Sequence, residues 1–523
     1  MAPPSISSLA VPAGRIAAKS SQPIFGILAV LVGAFIATLS TRITALGLAD
    51  LRGAVHASFD EGAWIPTAHT VGQMLVCAPT VWAGLVYGPR RVLLISSLTA
   101  AAASLLIPYS ETLIAVIGLQ FIAGLAMGTF IPLTVSFVAR NLPPRYLVFG
   151  IAAYAMNSEM SQNIAASLEG FYLDHASWKW IFWQNTILGV AMFALVHIGM
   201  PKRPIDPIPA AKVDKAGMLF YSLGLSAVYA ALDQGNRLDW LGSGVVNGLL
   251  LGGFTLLAGF VICSLIAARP FLDLRYIFRS NISALAAMLT FLRFAILATS
   301  FLIPQYLTNV QGYRALQIGD VLLLIALPQL LLAPMIALLL QRIDSRITIA
   351  LGFAAIGLAC LWISSGLTPF WISDDFMPSQ ILQAVGQSFA MTSLVVYNLK
   401  FINPTEILAF GTILQTTRLM GGELGLAYVQ TFVRVREQVH SNLVGLHVVE
   451  GAQISVAALS QNQHYFLAFG EGLAAERGTL LTAAMVQKQA YVLAYVDAFL
   501  LIGGGMIVCL LASAFLREPP KAA

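Results

Sequence analysis

Charged residues are scarce in this sequence. They make up 10% of its 523 residues, against about 25% in soluble domains, whereas hydrophobic residues reach 58%. A soluble domain could not bury that much apolar surface, which excludes an ordinary water-soluble protein. The four cysteines lie in apolar stretches without metal-ligand spacing, and we interpret them as small apolar residues: Cys77, Cys263, Cys360 and Cys509.

Catalytic and cofactor motifs are also missing. The sequence has no GxxxxGKS or GxxxxGKT loop for ATP phosphates, no CxxC or HExxH metal pattern, and no GxSxG nucleophile elbow. We therefore expect no enzymatic activity, no cofactor and no metal site. A basic patch with interleaved aromatic residues is absent too, so nucleic acid is not an expected partner.

Long hydrophobic stretches fill residues 24 to 515. About fourteen of them approach the length that crosses a bilayer, and short polar connectors separate most of them. The sequence therefore predicts an all-α polytopic membrane protein. We place the spans at 24–48, 67–87, 92–110, 113–138, 147–168, 180–200, 216–233, 243–267, 281–308, 317–340, 347–366, 378–399, 407–433 and 492–515.

Lysine and arginine are distributed unevenly between the two sides of these spans. The short outer loops hold only Arg52, Lys179, Arg237 and Arg314. The bias predicts that both termini lie in the cytoplasm and that the number of spans is even. The predicted cytoplasmic side collects Arg15, Lys19, Arg90, Arg91, Arg140, Arg145, Lys202, Arg203, Lys212, Lys215, Arg269, Arg275, Arg279, Arg342, Arg346, Lys400, Arg517 and Lys521.

Three arginines lie inside predicted spans: Arg42, Arg293 and Arg418. A charge within hydrocarbon is costly, so such a residue usually faces a polar interior and marks a functional path. These arginines predict a polar cavity that handles solutes.

One connector is much longer than the others. Residues 434–490, between spans 13 and 14, carry periodic apolar positions in VREQVHSNLVGLHVV. The periodicity predicts an amphipathic helical hairpin outside the membrane. The hairpin could pack on its own protein or form a docking surface for a partner.

Several segments, in order along the chain, resemble one family. LSTRITALGLADLRGAVHASFDEGAW covers the first span and loop, AASLEGFYLDHASWKWIFWQN the connection between spans 5 and 6, and RPFLDLRYIFRSN the opening of the C-terminal half. TTRLMGGELG carries an arginine and paired glycines in span 13. These segments are similar to those of the fourteen-span drug:proton antiporters of the major facilitator superfamily, the EmrB-like multidrug efflux permeases.

The resemblance implies a major facilitator fold with a central site reached alternately from either side. Spans 1–6 and 9–14 would form two six-helix bundles, with spans 7 and 8 inserted between them. The expected division is a cytoplasmic tail at 1–23, an N-terminal bundle at 24–200, inserted helices and linkers at 201–280, a C-terminal bundle at 281–515 and a cytoplasmic tail at 516–523.

The sequence departs from the family where coupling features are expected. Ser40 stands where the family usually has a span 1 aspartate, and Leu85 takes the place of the acid between spans 2 and 3. Gln120 replaces the span 4 arginine, and the span 5 motif GPxxGG reads AASLEG at 165–170. Proton antiport therefore cannot simply be carried over from the resemblance.

A relocated set of charges could replace these features. Arg42 and Arg293 lie in the first helices of the two bundles, and Glu159 and Glu423 lie in the fifth. First and fifth helices are neighbours in this fold, so we predict mirrored pairs, Arg42 with Glu159 and Arg293 with Glu423. Each pair could couple proton and substrate binding, or could be a static contact. For Arg418 we favour a structural or gating role.

The favoured function is secondary efflux of amphipathic compounds, particularly aromatic or fatty carboxylates, because arginines supply bidentate anion contacts. The expected partners are a small-molecule substrate, protons and, by resemblance, a periplasmic membrane-fusion adaptor with an outer-membrane channel. The expected location is the bacterial inner membrane. The alternative is a membrane assembly or sensing component that has kept the fold and lost transport, which the missing motifs permit.

Overall fold

The computed structural model describes residues 23–202, 204–205, 214–267, 270–272, 274, 280–401, 407–449 and 453–517. Within these ranges the chain is built from helices and contains no strand. The predicted cytoplasmic tails, apart from their residues nearest the bundles, lie outside the described residues. So does most of the connector between the inserted helices and the C-terminal half.

A helix occupies each segment that we predicted as a span. Most of these helices begin and end within a few residues of the expected positions. They are α1 Pro23–Leu46, α2 Trp64–Val86, α3 Pro89–Leu106, α4 in two pieces at Leu113–Met127 and Phe130–Asn141, α5 Pro144–His175, α6 Trp180–Gly199, α7 Lys215–Gly235, α8 Gly244–Ile266, α9 Ser280–Gln311, α10 Ala315–Leu339, α11 Ser345–Gly366, α12 Met377–Phe401, α13 Ile407–Val449 and α14 Glu471–Ser513.

The helices fall into an apolar set and a polar set. Among the described residues, ten helices are long and apolar enough to cross a membrane: α1, α3, α4, α6 to α11 and α14. The other four, α2, α5, α12 and α13, bury amides, hydroxyls and charges such as Gln73, Glu159, Gln387 and Arg418. Lower hydropathy in these four therefore reflects a polar interior, and the count of fourteen crossings remains a prediction.

Two groups of helices meet along the middle of the molecule. In the first group α1 packs against α5 and α6, and in the second α9 packs against α13 and α14. First and fifth helices are thus neighbours in both groups, as the resemblance implied. The groups join where α5 packs on α10 and where α13 packs on α2 and the second piece of α4. The inserted helix α7 packs on α2, α8 and α13.

Glycines of the TTRLMGGELG segment in α13 allow close contact with α9. A Cβ atom at Gly421 would lie 2.8 Å from the Thr290 carbonyl oxygen, and one at Gly425 would overlap the Phe294 carbonyl. Such a close approach of two helix backbones requires glycine, which has no side chain. The glycines therefore bring α13 against α9 next to Arg418 and Glu423.

The long connector between spans 13 and 14 continues both helices. α13 runs unbroken to Val449, and α14 begins at Glu471, well before the predicted start of span 14. A short loop helix, Gln453–Tyr465, lies between them. The Asn462 side-chain amide donates to the Thr482 hydroxyl at 3.0 Å, which holds the loop helix against α14.

Candidate substrate and coupling site

A buried ion pair lies at the centre of the molecule. Arg293 Nη2 in α9 lies 2.7 Å from Glu159 Oε1 in α5, and the two side chains are 1% and 0% exposed. Arg293 Nε and Nη1 have no hydrogen-bond partner among the described residues. Buried donors of this kind are costly unless another group satisfies them. The pair is therefore charge-balanced but leaves donors that can bind an anion.

This geometry corrects the predicted pairing. We expected Arg42 with Glu159 and Arg293 with Glu423, within each bundle. Instead, Arg293 reaches across the middle to Glu159 of the other group. The adjacency of first and fifth helices was predicted correctly, but an arginine side chain is long enough to span the gap between the groups. Helix adjacency alone therefore could not choose its partner.

Glu423 has a hydroxyl partner instead of a cation. The Tyr229 hydroxyl of α7 donates to Glu423 Oε2 at 2.8 Å, and the glutamate is 4% exposed. Arg42 attracts this carboxylate at longer range without forming a salt bridge in the described structure. The Arg42 Nη2 atom donates to the Ser300 carbonyl of α9 at 3.0 Å. Arg42 thus joins the first helices of the two groups and remains partly exposed.

Arg418 is held by neutral side chains. Its Nε atom donates to Gln415 at 3.1 Å within α13, and its Nη1 atom donates to the Thr38 hydroxyl of α1 at 3.1 Å. Gln415 in turn donates to Gln73 of α2 at 3.4 Å, and Gln73 lies 3.0 Å from His69. The guanidinium therefore connects α13 to α1 and α2, a position that supports the structural or gating role favoured from the sequence.

A cluster of amides lies where α5, α10 and α12 meet. The Asn163 amide donates to Gln329 at 3.3 Å and to Gln387 at 3.2 Å, and Gln329 donates to Gln387 at 3.2 Å. All three side chains are buried. The charged residues gave no indication of this cluster, because its three members are neutral. Amides inside apolar spans were the available signal.

The inserted helix α7 also contributes to the site, which was not expected from the sequence. Tyr229 contacts Glu423, and Asp233, four residues further on, accepts a hydrogen bond from Thr67 of α2. Residues at this spacing lie on one face of a helix. The acid in LDQGNRLDW was visible in the sequence, but spans 7 and 8 were treated as insertions without a part in the site.

The chain is similar to bacterial exporters over nearly its full length. It is 25% identical to the multidrug export protein EmrB of Haemophilus influenzae, covering 96% of this chain and 98% of that protein. It is 22% identical to EmrB of Escherichia coli, with 96% of each chain covered. It is also 22% identical to the fatty acid resistance protein FarB of Neisseria gonorrhoeae, covering 93% and 94%.

Solved structures agree on the fold. The proton:xylose symporter XylE superposes with a TM-score of 0.57 at 9% identity, covering 95% of this chain and 96% of that one. The human organic anion transporter MFSD10 superposes with a TM-score of 0.53 at 12% identity, covering 93% and 100%. The model of the Major Facilitator Superfamily matches residues 30–426. The chain therefore belongs to the Major Facilitator Superfamily and is a multi-pass membrane transporter.

Proposed function

We propose that the protein is a proton-coupled efflux transporter that exports amphipathic compounds, with a preference for aromatic or fatty anions. Its similarity to proteins named for multidrug export and fatty acid resistance supports the export of such compounds. The observation that carries the anion preference is the buried Arg293 guanidinium, whose Nε and Nη1 donors have no partner among the residues that the structure describes. Arg42 adds a second positive charge, bonded to the Ser300 carbonyl two turns further along α9.

Glu423 is the proposed proton carrier. It contacts a tyrosine hydroxyl and has no cation within salt-bridge distance in the described structure, so its charge is not cancelled locally. A buried carboxylate without a direct cation can alternate between charged and neutral forms. Glu159 is neutralised by Arg293, and we assign it to holding the two groups together.

Transport into everted membrane vesicles tests this function. Vesicles with an acidic lumen should accumulate naphthalene-2-sulfonate, an aromatic anion whose charge does not change over the working pH range. Dissipating the pH gradient should release it. Ethidium, a lipophilic cation, serves as the comparison substrate.

The outcomes separate the candidate functions. Accumulation of ethidium but not of the sulfonate would keep efflux and overturn the anion preference. Gradient-independent accumulation of the sulfonate would overturn proton coupling. Transport of neither probe would favour the assembly or sensing role that the missing motifs permit.

We also propose that the outer segment at 434–490, formed by the end of α13, the loop helix and the start of α14, docks a periplasmic membrane-fusion adaptor, which would deliver substrate to an outer-membrane channel. Large apolar side chains on this segment are exposed in the described structure, including Val439, Leu443, Leu446 and Val456. Exposed apolar groups at regular helical spacing fit a helical partner. The exposure supports docking over packing on the same chain.

A pair of substitutions tests the docking surface. Leu443→Glu with Leu446→Glu should abolish drug resistance of intact cells but leave vesicle transport unchanged, since vesicles need no adaptor. Ser460→Glu on the loop helix is the matched control because it adds charge at an exposed polar site. Equal resistance in the double variant and the control would contradict an adaptor at this surface.

The orientation completes the proposal. We place both termini in the cytoplasm of a bacterial inner membrane, from the bias in lysine and arginine. A reporter fused after residue 210 should be cytoplasmic, and one inserted near residue 460 should be periplasmic. Both reporters on one side would overturn the fourteen-span topology.

A further inference from the structure

One face of the inserted helix α7 carries polar side chains at every turn or two. Tyr221, Tyr229 and Asp233 are separated by multiples of four residues, so they lie in one stripe. The Tyr221 hydroxyl donates to Thr416 of α13 at 2.9 Å, and the Tyr229 hydroxyl donates to Glu423 of α13. The stripe therefore faces the helix that carries the proposed proton carrier.

Asp233 ends this stripe in a polar cage. Its Oδ2 atom accepts hydrogen bonds from the Thr67 hydroxyl of α2 and from the Gln234 amide, the latter at 3.0 Å. The Gln234 amide also donates to Thr67 at 2.6 Å. Asp233 is partly exposed, whereas Thr67 and Gln234 are buried. The Asp233 carboxylate therefore lies near the end of α7, partly exposed but in contact with buried polar side chains.

The hydrogen-bonded network around Asp233 continues to the protein surface. Arg237 Nε donates to Gln234 Oε1 at 2.9 Å, and Arg237 Nη1 forms an ion pair with Asp60 at 2.5 Å. Asp60 is 75% exposed, in the loop between α1 and α2. The charge bias places this loop and the end of α7 on the outer side of the membrane. Polar groups therefore reach from the outer surface to Asp233, and Tyr229, one turn before Asp233 on the same face of α7, bonds to Glu423.

We propose that Asp233 is a second protonation site, through which protons from the outer side reach Glu423 by way of the Tyr229 hydroxyl. The inference rests on the proposed role of Glu423. It assigns a function to α7, which would otherwise only fill space between the two groups. The ligand of the new site is the proton itself.

The proton transfer is balanced and needs no further reactant. Asp233 in its acid form gives up its proton and becomes a carboxylate. The Tyr229 hydroxyl passes its own proton to the Glu423 carboxylate and takes up the proton from Asp233, so it remains neutral. Glu423 becomes the neutral acid, and the total charge of the set is unchanged.

Surrounding charges favour a single proton shared between the two acids. Asp233 and Glu423 repel each other, and Arg42 of α1 attracts Glu423. Arg237 attracts Asp233 from the surface side, and Thr67 of α2 stabilises its charged form by a hydrogen bond. Two carboxylates that interact in this way bind protons as a coupled pair. With one proton between them, the two acids are never both charged, which avoids their mutual repulsion.

Infrared difference spectroscopy after a pH jump tests the relay without any substrate. The purified full-length protein should show carboxylic acid bands for Asp233 and Glu423, assigned by their loss in Asp233→Asn and Glu423→Gln. In Asp233→Asn and in Tyr229→Phe, protonation of Glu423 should be slower by roughly hundredfold, the lower end of what a positioned proton donor contributes.

Tyr221→Phe is the matched control. It removes a tyrosine hydroxyl from the same face of α7, and that hydroxyl also bonds to a side chain of α13, but it lies outside the relay. Glu423 should be protonated at the wild-type rate in this variant. A wild-type rate in either Asp233→Asn or Tyr229→Phe would overturn the relay. Equal slowing in Tyr221→Phe would overturn it as well, because packing of α7 would then explain the effect.

Failure of the relay and failure of the proposed function give different results. If Glu423→Gln keeps uphill transport in vesicles, proton coupling through Glu423 is wrong. If Glu423→Gln loses uphill transport while Asp233→Asn protonates Glu423 at the wild-type rate, coupling stands and the outer route is wrong. Tyr229→Phe keeps the test decisive if Asp233→Asn does not fold.

Discussion

Glu159 and Glu423 occupy equivalent helices in the two groups but have different surroundings. Glu159 forms a 2.7 Å ion pair with an arginine of the opposite group. Glu423 accepts a 2.8 Å hydrogen bond from a tyrosine of the inserted helix. Both are buried. Equivalent positions in a repeated fold therefore need not have equivalent chemistry.

The difference follows from how each carboxylate is stabilised. A buried ion pair is balanced as long as both members remain, and removal of either leaves an uncompensated charge. A carboxylate hydrogen-bonded to a neutral hydroxyl can be uncharged without leaving a partner unpaired. We infer that Glu159 fixes the structure and that Glu423 changes its protonation state during transport.

The largest expected effect is on transport by Glu423→Gln. Glutamine cannot release a proton, so uphill accumulation of naphthalene-2-sulfonate should be abolished, while exchange of labelled for unlabelled probe should persist. Both rates are measured in the same proteoliposomes. If uphill transport is unchanged, or if exchange is lost together with accumulation, Glu423 is not a proton carrier. Its role would then not differ from that of Glu159.

The second effect is on stability. Arg293→Met should lower the free energy of unfolding by about 3–5 kcal/mol, because Glu159 is left buried without its cation. Adding Glu159→Gln should restore most of that loss, since a neutral pair leaves no buried charge. Unfolding in detergent measures both variants. If the double variant is no more stable than Arg293→Met, the ion pair is not what holds the groups together.

A smaller effect should appear in substrate binding. Arg42→Gln should weaken binding of naphthalene-2-sulfonate but hardly affect its neutral sulfonamide, since only the anion makes a charge-assisted hydrogen bond. Such a bond is worth about 1.5–3 kcal/mol, or roughly tenfold to hundredfold in affinity. Titration calorimetry compares the two ligands. Equal weakening of both would mean that Arg42 only positions α1 against α9 through its bond to Ser300.

The sequence was sufficient for the helices and for the identity of the charged residues at the centre. Hydropathy located each helix, and the costs of buried charge singled out Arg293 and Glu159 before any coordinates. It was insufficient for their pairing, because the long side chain of Arg293 can reach an acid of the opposite group as well as one on a neighbouring helix of its own group. It also missed Tyr229 and Asp233, whose role depends on where the inserted α7 packs against α13.

A partly exposed ion pair provides a comparison for the buried Arg293–Glu159 pair and shows how much of its effect on stability is due to burial. Arg346 Nη2 lies 2.7 Å from Asp344 Oδ2, the same separation as in the central pair, but these side chains are 30% and 31% exposed. Asp344 also caps α11 by accepting from the Arg346 backbone amide at 3.0 Å. The two ion pairs have the same N–O distance but differ in burial. Comparing substitutions in them therefore separates the effect of ion-pair geometry on stability from the effect of burial.

Asp344→Ala should therefore cost only about 1 kcal/mol at neutral pH, the usual value of a helix cap. Partial burial alone would raise the pKa of Asp344, but hydrogen bonds from Arg346 and the charges of Arg346 and Lys400 outweigh it and lower the pKa. A lowered pKa in the folded state gives stability above the ordinary aspartate range, and this stability is lost as the pH falls through the folded-state value. The difference between wild type and Asp344→Ala in thermal unfolding should shrink on acidification. A loss as large as that of Arg293→Met would show that ion-pair geometry, rather than burial, sets the cost.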